Sequence, residues 1–152
     1  MWGLLCVPFL VSMAVSDMRI RKVRIMSLAA FGLTMFVASV AESGFQSVLR
    51  NILCNGVVCL ILLTALIVWS AIRNRDLFDM VGTGDLVFVA MVTPYFGTYA
   101  FTLFLTVSFA VTLVSWSLYR LCNRGADDIP LISGLGVCLI SVILYRTVLF
   151  LL

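Results

Sequence analysis

Two aspartates stand where a membrane chain seldom places charge. Asp17 closes an apolar run that begins at Trp2, and Asp85 opens another directly after Gly82-Thr83-Gly84. Carboxylates at membrane depth are costly and tend to face a bundle interior or a wet cavity, which makes them candidates for chemistry. Two carboxylates a few ångströms apart cannot both ionise easily, so they share one proton and their apparent pKa values split. Those values belong to the pair and not to either residue. The ionised member can take a proton from water while the protonated member polarises a carbonyl, an arrangement suited to hydrolysing a peptide bond. That chemistry needs no metal and no cofactor. Taken singly, each aspartate also has a plain structural reading. Asp17 could be a boundary acid paired with Arg19, Arg21 or Lys22, and Asp85 a helix N-cap. The glycines favour the chemical reading. Glycine opens backbone conformations closed to other residues and admits a second chain closely. Irregular backbone at membrane depth is tolerated only where it is buried or lines a cavity.

These residues must be positioned by elements that live in lipid. Hydrophobic residues make up 63% of the 152-residue chain and charged residues 11%, whereas soluble domains are nearer half apolar and a quarter charged. The length suggests one domain covering residues 1–152. The absence of His removes imidazole triads and His metal sites. Five cysteines, Cys6, Cys54, Cys59, Cys122 and Cys138, form no CxxC pair, so neither a zinc nor a disulfide framework is expected. The few basic residues sit around apolar runs and do not suggest nucleic-acid binding.

A spanning helix needs roughly 20 apolar residues. On that rule the chain reads as an all-α bundle of about six transmembrane helices, near Trp2–Ser16, Ile25–Ala41, Ile52–Ile72, Leu86–Phe96, Thr98–Tyr119 and Leu131–Leu152. The fourth is short, and spans only if it is tilted or if its Asp85 end is buried in protein. No basic residue precedes the first apolar run, so it reads as a retained helix and not as a cleaved signal. Arg19, Arg21, Lys22, Arg24, Arg73, Arg75, Arg120 and Arg124 all fall on the loops after the first, third and fifth spans. Arg50 alone lies on the opposite side, and Arg146 inside the last helix is expected to snorkel to the outer interface. The positive-inside rule therefore predicts that Asp17 and Asp85 sit at the cytoplasmic face and that both termini lie outside. Asp76, Asp79, Asp127 and Asp128 share that face, where they either pair with neighbouring arginines or attract a basic partner. Asn55, polar within the third span, is expected to hydrogen-bond across the bundle. Gly32, Ala38, Gly56 and Ser108 are candidate sites of close helix approach.

Gly82-Thr83-Gly84-Asp85, followed by Leu86-Val87-Phe88-Val89-Ala90-Met91, resembles the GxGD motif of the type IV prepilin peptidases, which is shared with presenilin-like intramembrane proteases. Asp17-Met18-Arg19 resembles the first catalytic aspartate of the prepilin peptidases. Ile129-Pro130, with Gly134 and Gly136 beyond, is similar to the start of that family's last helix. The resemblance covers nearly the whole chain. It implies an aspartyl endopeptidase of a bacterial or archaeal cytoplasmic membrane that uses Asp17 and Asp85 as a dyad. Its substrate would be a prepilin or pseudopilin with a basic leader before an apolar helix. Two departures stand out: Val23-Arg24-Ile25 where the family commonly has Ile-Pro-Asn, and Val87 where it often has Lys. The paired CxxC motifs of the methylating members are absent, so the resemblance is to the short, peptidase-only form. A pilin-binding homologue that does not cut, and a small proton-coupled transporter, are the rival readings.

Overall fold

The computed structural model describes residues 2–20, 25–74, 82–122 and 131–151, leaving aside side chains at a few helix ends, those of residues 17–20 among them. A 3-10 turn, Trp2–Cys6, leads into α1 (Val7–Ile20). It is followed by α2 (Ile25–Ser43), α3 (Phe45–Arg73), α4 (Thr83–Val92), α5 (Thr98–Cys122) and α6 (Leu131–Leu151). The protein is an all-α polytopic membrane protein. Within α2, α3, α5 and α6 lie stretches long and apolar enough to cross a bilayer, whereas Leu4–Ser16 and α4 are shorter apolar helices. The expected bundle is therefore observed, with one marked inequality of length. At about 1.5 Å per residue α3 reaches on the order of 43 Å and α4 only about 15 Å, against a hydrocarbon core of about 30 Å.

The expected polar connection between the second and third spans is absent, and this corrects the position of Arg50. Helix α3 starts at Phe45, so Arg50 is a helical residue, and Gly44 alone separates α2 from α3. Gly44 adopts φ 78° and ψ 154°, a region essentially closed to residues with a Cβ. One such residue reverses the chain without a loop, and Glu42 through Asn51 are absorbed into helix ends.

The core is apolar and gathers α1, α2, α4, α5 and α6. Cys6, Leu10 and Met13 of the first segment pack with Phe31, Met35, Phe88, Leu135 and Leu139 in one cluster. Phe31 of α2 and Phe88 of α4 stack with ring centroids 5.3 Å apart and planes 5° from parallel, a geometry that contributes beyond burial alone. Beside that pair, a Cβ on Gly32 would lie 2.5 Å from the Met91 sulfur, so glycine there lets α2 and α4 meet. Gly134 does the same for α6 against Thr112 of α5. Gly56, by contrast, has nothing within 4 Å of a Cβ, so it mediates no close approach.

These environments predict opposite outcomes for two Gly→Ala substitutions. Gly44→Ala should cost about 1–3 kcal/mol of stability, the range for a strained backbone conformation. Gly56→Ala should be neutral or stabilise by up to about 1 kcal/mol, through helix propensity. Unfolding in detergent titrated with denaturant, followed by circular dichroism, measures both.

Candidate active site

Helix α4 carries Asp85, and its shortness has a local cause. Pro94 has no N–H to continue the ladder, which would orphan the carbonyl of Ala90. Thr93 takes that carbonyl twice, donating its backbone N–H at 3.3 Å and its hydroxyl at 2.7 Å. The chain then turns through Thr93–Phe96, and two more carbonyls are left without helical partners. Asn55 of α3, fully buried, donates from its side-chain amide to the carbonyl of Thr93 and to that of Phe96, each at 2.8 Å. The cross-bundle bonding expected of Asn55 is thus observed, and it seals a helix end inside the bundle. Arg146 of α6 lies on the same turn, its guanidinium 5.3 Å from the centre of the Tyr95 ring.

The clamp sets the depth of Asp85. Asn55 is level with the end of α4, and Asp85 lies eight residues, about 12 Å, back along the helix. Helix α3 runs alongside and continues to Arg73, so the Asp85 carboxylate falls well inside the length of α3. Asp85 and the mid-helix residue Phe109 of α5 line the same cavity. Thr83, Gly84 and Asp85 form the first helical turn, with Gly82 as the N-cap residue. The carboxylate therefore sits in the first turn of α4, at the helix's N-terminal end.

The glycines act through space and not through conformation, which amends the reading from sequence. Gly82 has φ −60° and ψ 137°, values open to any residue, and among the described residues only Gly44 is a glycine with positive φ. A Cβ on Gly82 would lie 3.1 Å from Oδ2 of Asp85, and one on Gly84 3.3 Å from Cδ1 of Ile132. Gly82 leaves room for the carboxylate to fold back, and Gly84 lets the first turn of α6 come close.

That first turn of α6 is the junction of the site. Ile132 meets Gly84 on one side, while the hydroxyl of Ser133 donates at 3.2 Å to the carbonyl of Ala14 in α1. A Cβ on Gly136, one turn on, would lie 4.0 Å from the Cβ of Ala14. Ala14 is three residues before Asp17, and Gly84 immediately precedes Asp85. Helix α6 thus touches both aspartate-bearing segments with adjacent residues, and α1 and α4 each also pack on α2. The Asp17 side chain lies outside the described residues, as do Ile129, Pro130, Asp76, Asp79, Asp127 and Asp128. Ile132 and Ser133 had no signal in the sequence, because Ile-Ser in an apolar helix is unremarkable. Among the described residues no cluster of His, Cys, Asp or Glu could hold a metal ion. Comparison with family models, with curated proteins and with solved structures returned no match.

Asn55 should therefore matter more than an average polar residue in a membrane helix. Replacing it with Leu should cost about 1–2 kcal/mol, since interhelical bonds in bilayers average about 0.6 kcal/mol and two are lost. Asn55→Asp keeps the volume but sets an acceptor against two carbonyls, and should cost more than Leu does. Steric-trapping or denaturant-titrated unfolding in bicelles measures the order, and a ranking with Leu the worse of the two would contradict the clamp.

Proposed function

We propose that the protein is a membrane aspartyl endopeptidase that uses Asp17 and Asp85 as its dyad and removes a basic leader from a prepilin-like substrate. The observation that carries the reading is the first turn of α6, where adjacent residues bind the segment before Asp17 and the glycine before Asp85. Two remote aspartates held through one short piece of backbone is the arrangement that shared-proton chemistry needs. The cavity beside Asp85 supports it further, because a substrate carbonyl must reach the carboxylate.

In the proposed reaction one carboxylate is ionised and one protonated. The ionised member removes a proton from water as the oxygen attacks the scissile carbonyl, and the protonated member donates to the carbonyl oxygen. Collapse of the gem-diol intermediate breaks the C–N bond: the leaving nitrogen takes a proton from the now protonated member while the other, now ionised, takes one from a gem-diol hydroxyl, so the dyad returns to one proton and its starting charge. The scheme assigns neither role to a particular aspartate, because the apparent pKa values of such a pair belong to both members. Orientation by the positive-inside rule places this chemistry at the cytoplasmic face, where a basic leader would lie.

The test is leader cleavage. A prepilin encoded in the same genome is co-expressed with wild type, Asp17→Asn or Asp85→Asn, and the loss of the leader is read as a size shift. Wild type should cut, and each Asn variant, shown to be inserted at normal levels, should lose at least a thousandfold in rate. If wild type and both variants process the prepilin alike, the dyad assignment is wrong. A non-cutting pilin-binding homologue would retain the prepilin in pull-downs, with no size shift in wild type.

A further inference from the structure

A groove of about 570 Å³ runs along α4 between α3, α5 and α6, and among the described residues Asp85 is the one charged residue on its wall. It exists because a short helix lies beside a long one. Helix α3 is tied to the α4 end at Asn55, and from Gly56 to Leu66, about 15 Å of rise, its residues line the groove rather than fill the bundle. The side towards lipid is open: Leu60 and Leu62 line it while remaining 62% and 42% exposed, and Ala65 and Ala90 are exposed as well. The far walls are Phe109 and Leu135.

We propose that this groove receives, sideways from the bilayer, the apolar helix of the peptidase substrate, and that about one and a half turns of that helix pack along α4 before the scissile bond meets Asp85. The inference rests on the peptidase reading. The antiparallel run of α4 beside α3 fixes the direction. Gly56 and Ala90 mark the deep end, Leu66 and Asp85 the end nearer Arg73, so the cleaved bond lies at the terminus of the helix on the Arg73 side. An apolar wall ending on a carboxylate matches a polypeptide whose side chains are apolar but whose backbone offers an amide at one end. A lipid tail offers that carboxylate nothing. Gly56, which has no packing partner of its own, acquires a purpose as the open floor of the groove.

The groove can be filled without disturbing the bundle. A Cβ on Gly56 meets nothing within 4 Å, and Ala90 is exposed, so Gly56→Leu and Ala90→Leu project into the groove. Each should lower kcat/KM for the prepilin at least tenfold, while Ile61→Leu, on the exposed face of α3, should leave it unchanged. Binding is read separately in the Asp85→Asn background. A single cysteine is placed about six residues beyond the scissile bond, and oxidation with copper–phenanthroline should form a disulfide with Cys59, a groove residue. Cys59→Ser should abolish the adduct and Cys54→Ser should not.

If Asp85→Asn abolishes cutting while Gly56→Leu and Ala90→Leu cut at the wild-type rate, the groove assignment is overturned and the dyad stands. An adduct with Cys54 in place of Cys59 also overturns it, as does a groove occupied by lipid only, seen as unchanged kinetics with lipid retained in native mass spectra. If Asp85→Asn cuts normally, the underlying peptidase reading falls first.

Discussion

The side-chain amide of Asn55 is the interaction on which the rest of the architecture depends. A helix that stops inside an apolar bundle leaves carbonyls without helical partners, each costing several kcal/mol if unmet. Two donors from one buried residue meet two of them, and the Thr93 hydroxyl and N–H meet the carbonyl that Pro94 would orphan. With its end sealed, α4 can remain ten residues long. Its other end then presents a half-buried carboxylate on the wall of the cavity shared with Phe109. A longer α4 would remove the need for Asn55 and also the depth of Asp85.

From that constraint the remaining features follow in order. The short helix needs packing on its flanks, supplied by the Phe31–Phe88 stack and by glycines that admit Met91 and Ile132. It leaves α3 unaccompanied along its length, which creates the groove. Meanwhile α6 joins α1 to α4 through Ser133 and Ile132, so the two acidic segments are held by one rigid element and not by separate loops. Helix ends at membrane depth are often where polypeptide chemistry concentrates, because sealing them already requires directed polar groups.

Much of this was legible in the residues. Composition and apolar run lengths are enough for the membrane class and helix order, and the brevity of the fourth helix could be read from Pro94 and Gly97. Asn55 was conspicuous as an amide in an apolar run, although its acceptors depend on tertiary approach and could not be named. Two things escaped. The turn at Gly44 was hidden because polar residues such as Arg50 mimic a loop, while a positive φ leaves no mark beyond the glycine itself. Of the two uses expected of the GxGD glycines, freedom and small size, the sequence could not say which operates, because it identifies a glycine and not its backbone angles. Here size is used, since Gly82 is extended and Gly84 helical. Ile132 and Ser133 were invisible for a similar reason: their importance lies in which neighbours they touch.

The central proposal is that Asp17 and Asp85 act as one dyad, their segments joined by the first turn of α6. Its most direct test is a paired-cysteine measurement in the membrane, with Asp17→Cys and Asp85→Cys combined and treated with the shortest bifunctional methanethiosulfonate. After a protease nick between α3 and α4, the account predicts that the two fragments stay joined only when both substitutions are present, and that Ser133→Ala weakens the yield. Fragments that separate as freely as those of the single variants would contradict it, and would leave the two aspartates as independent acids in one fold.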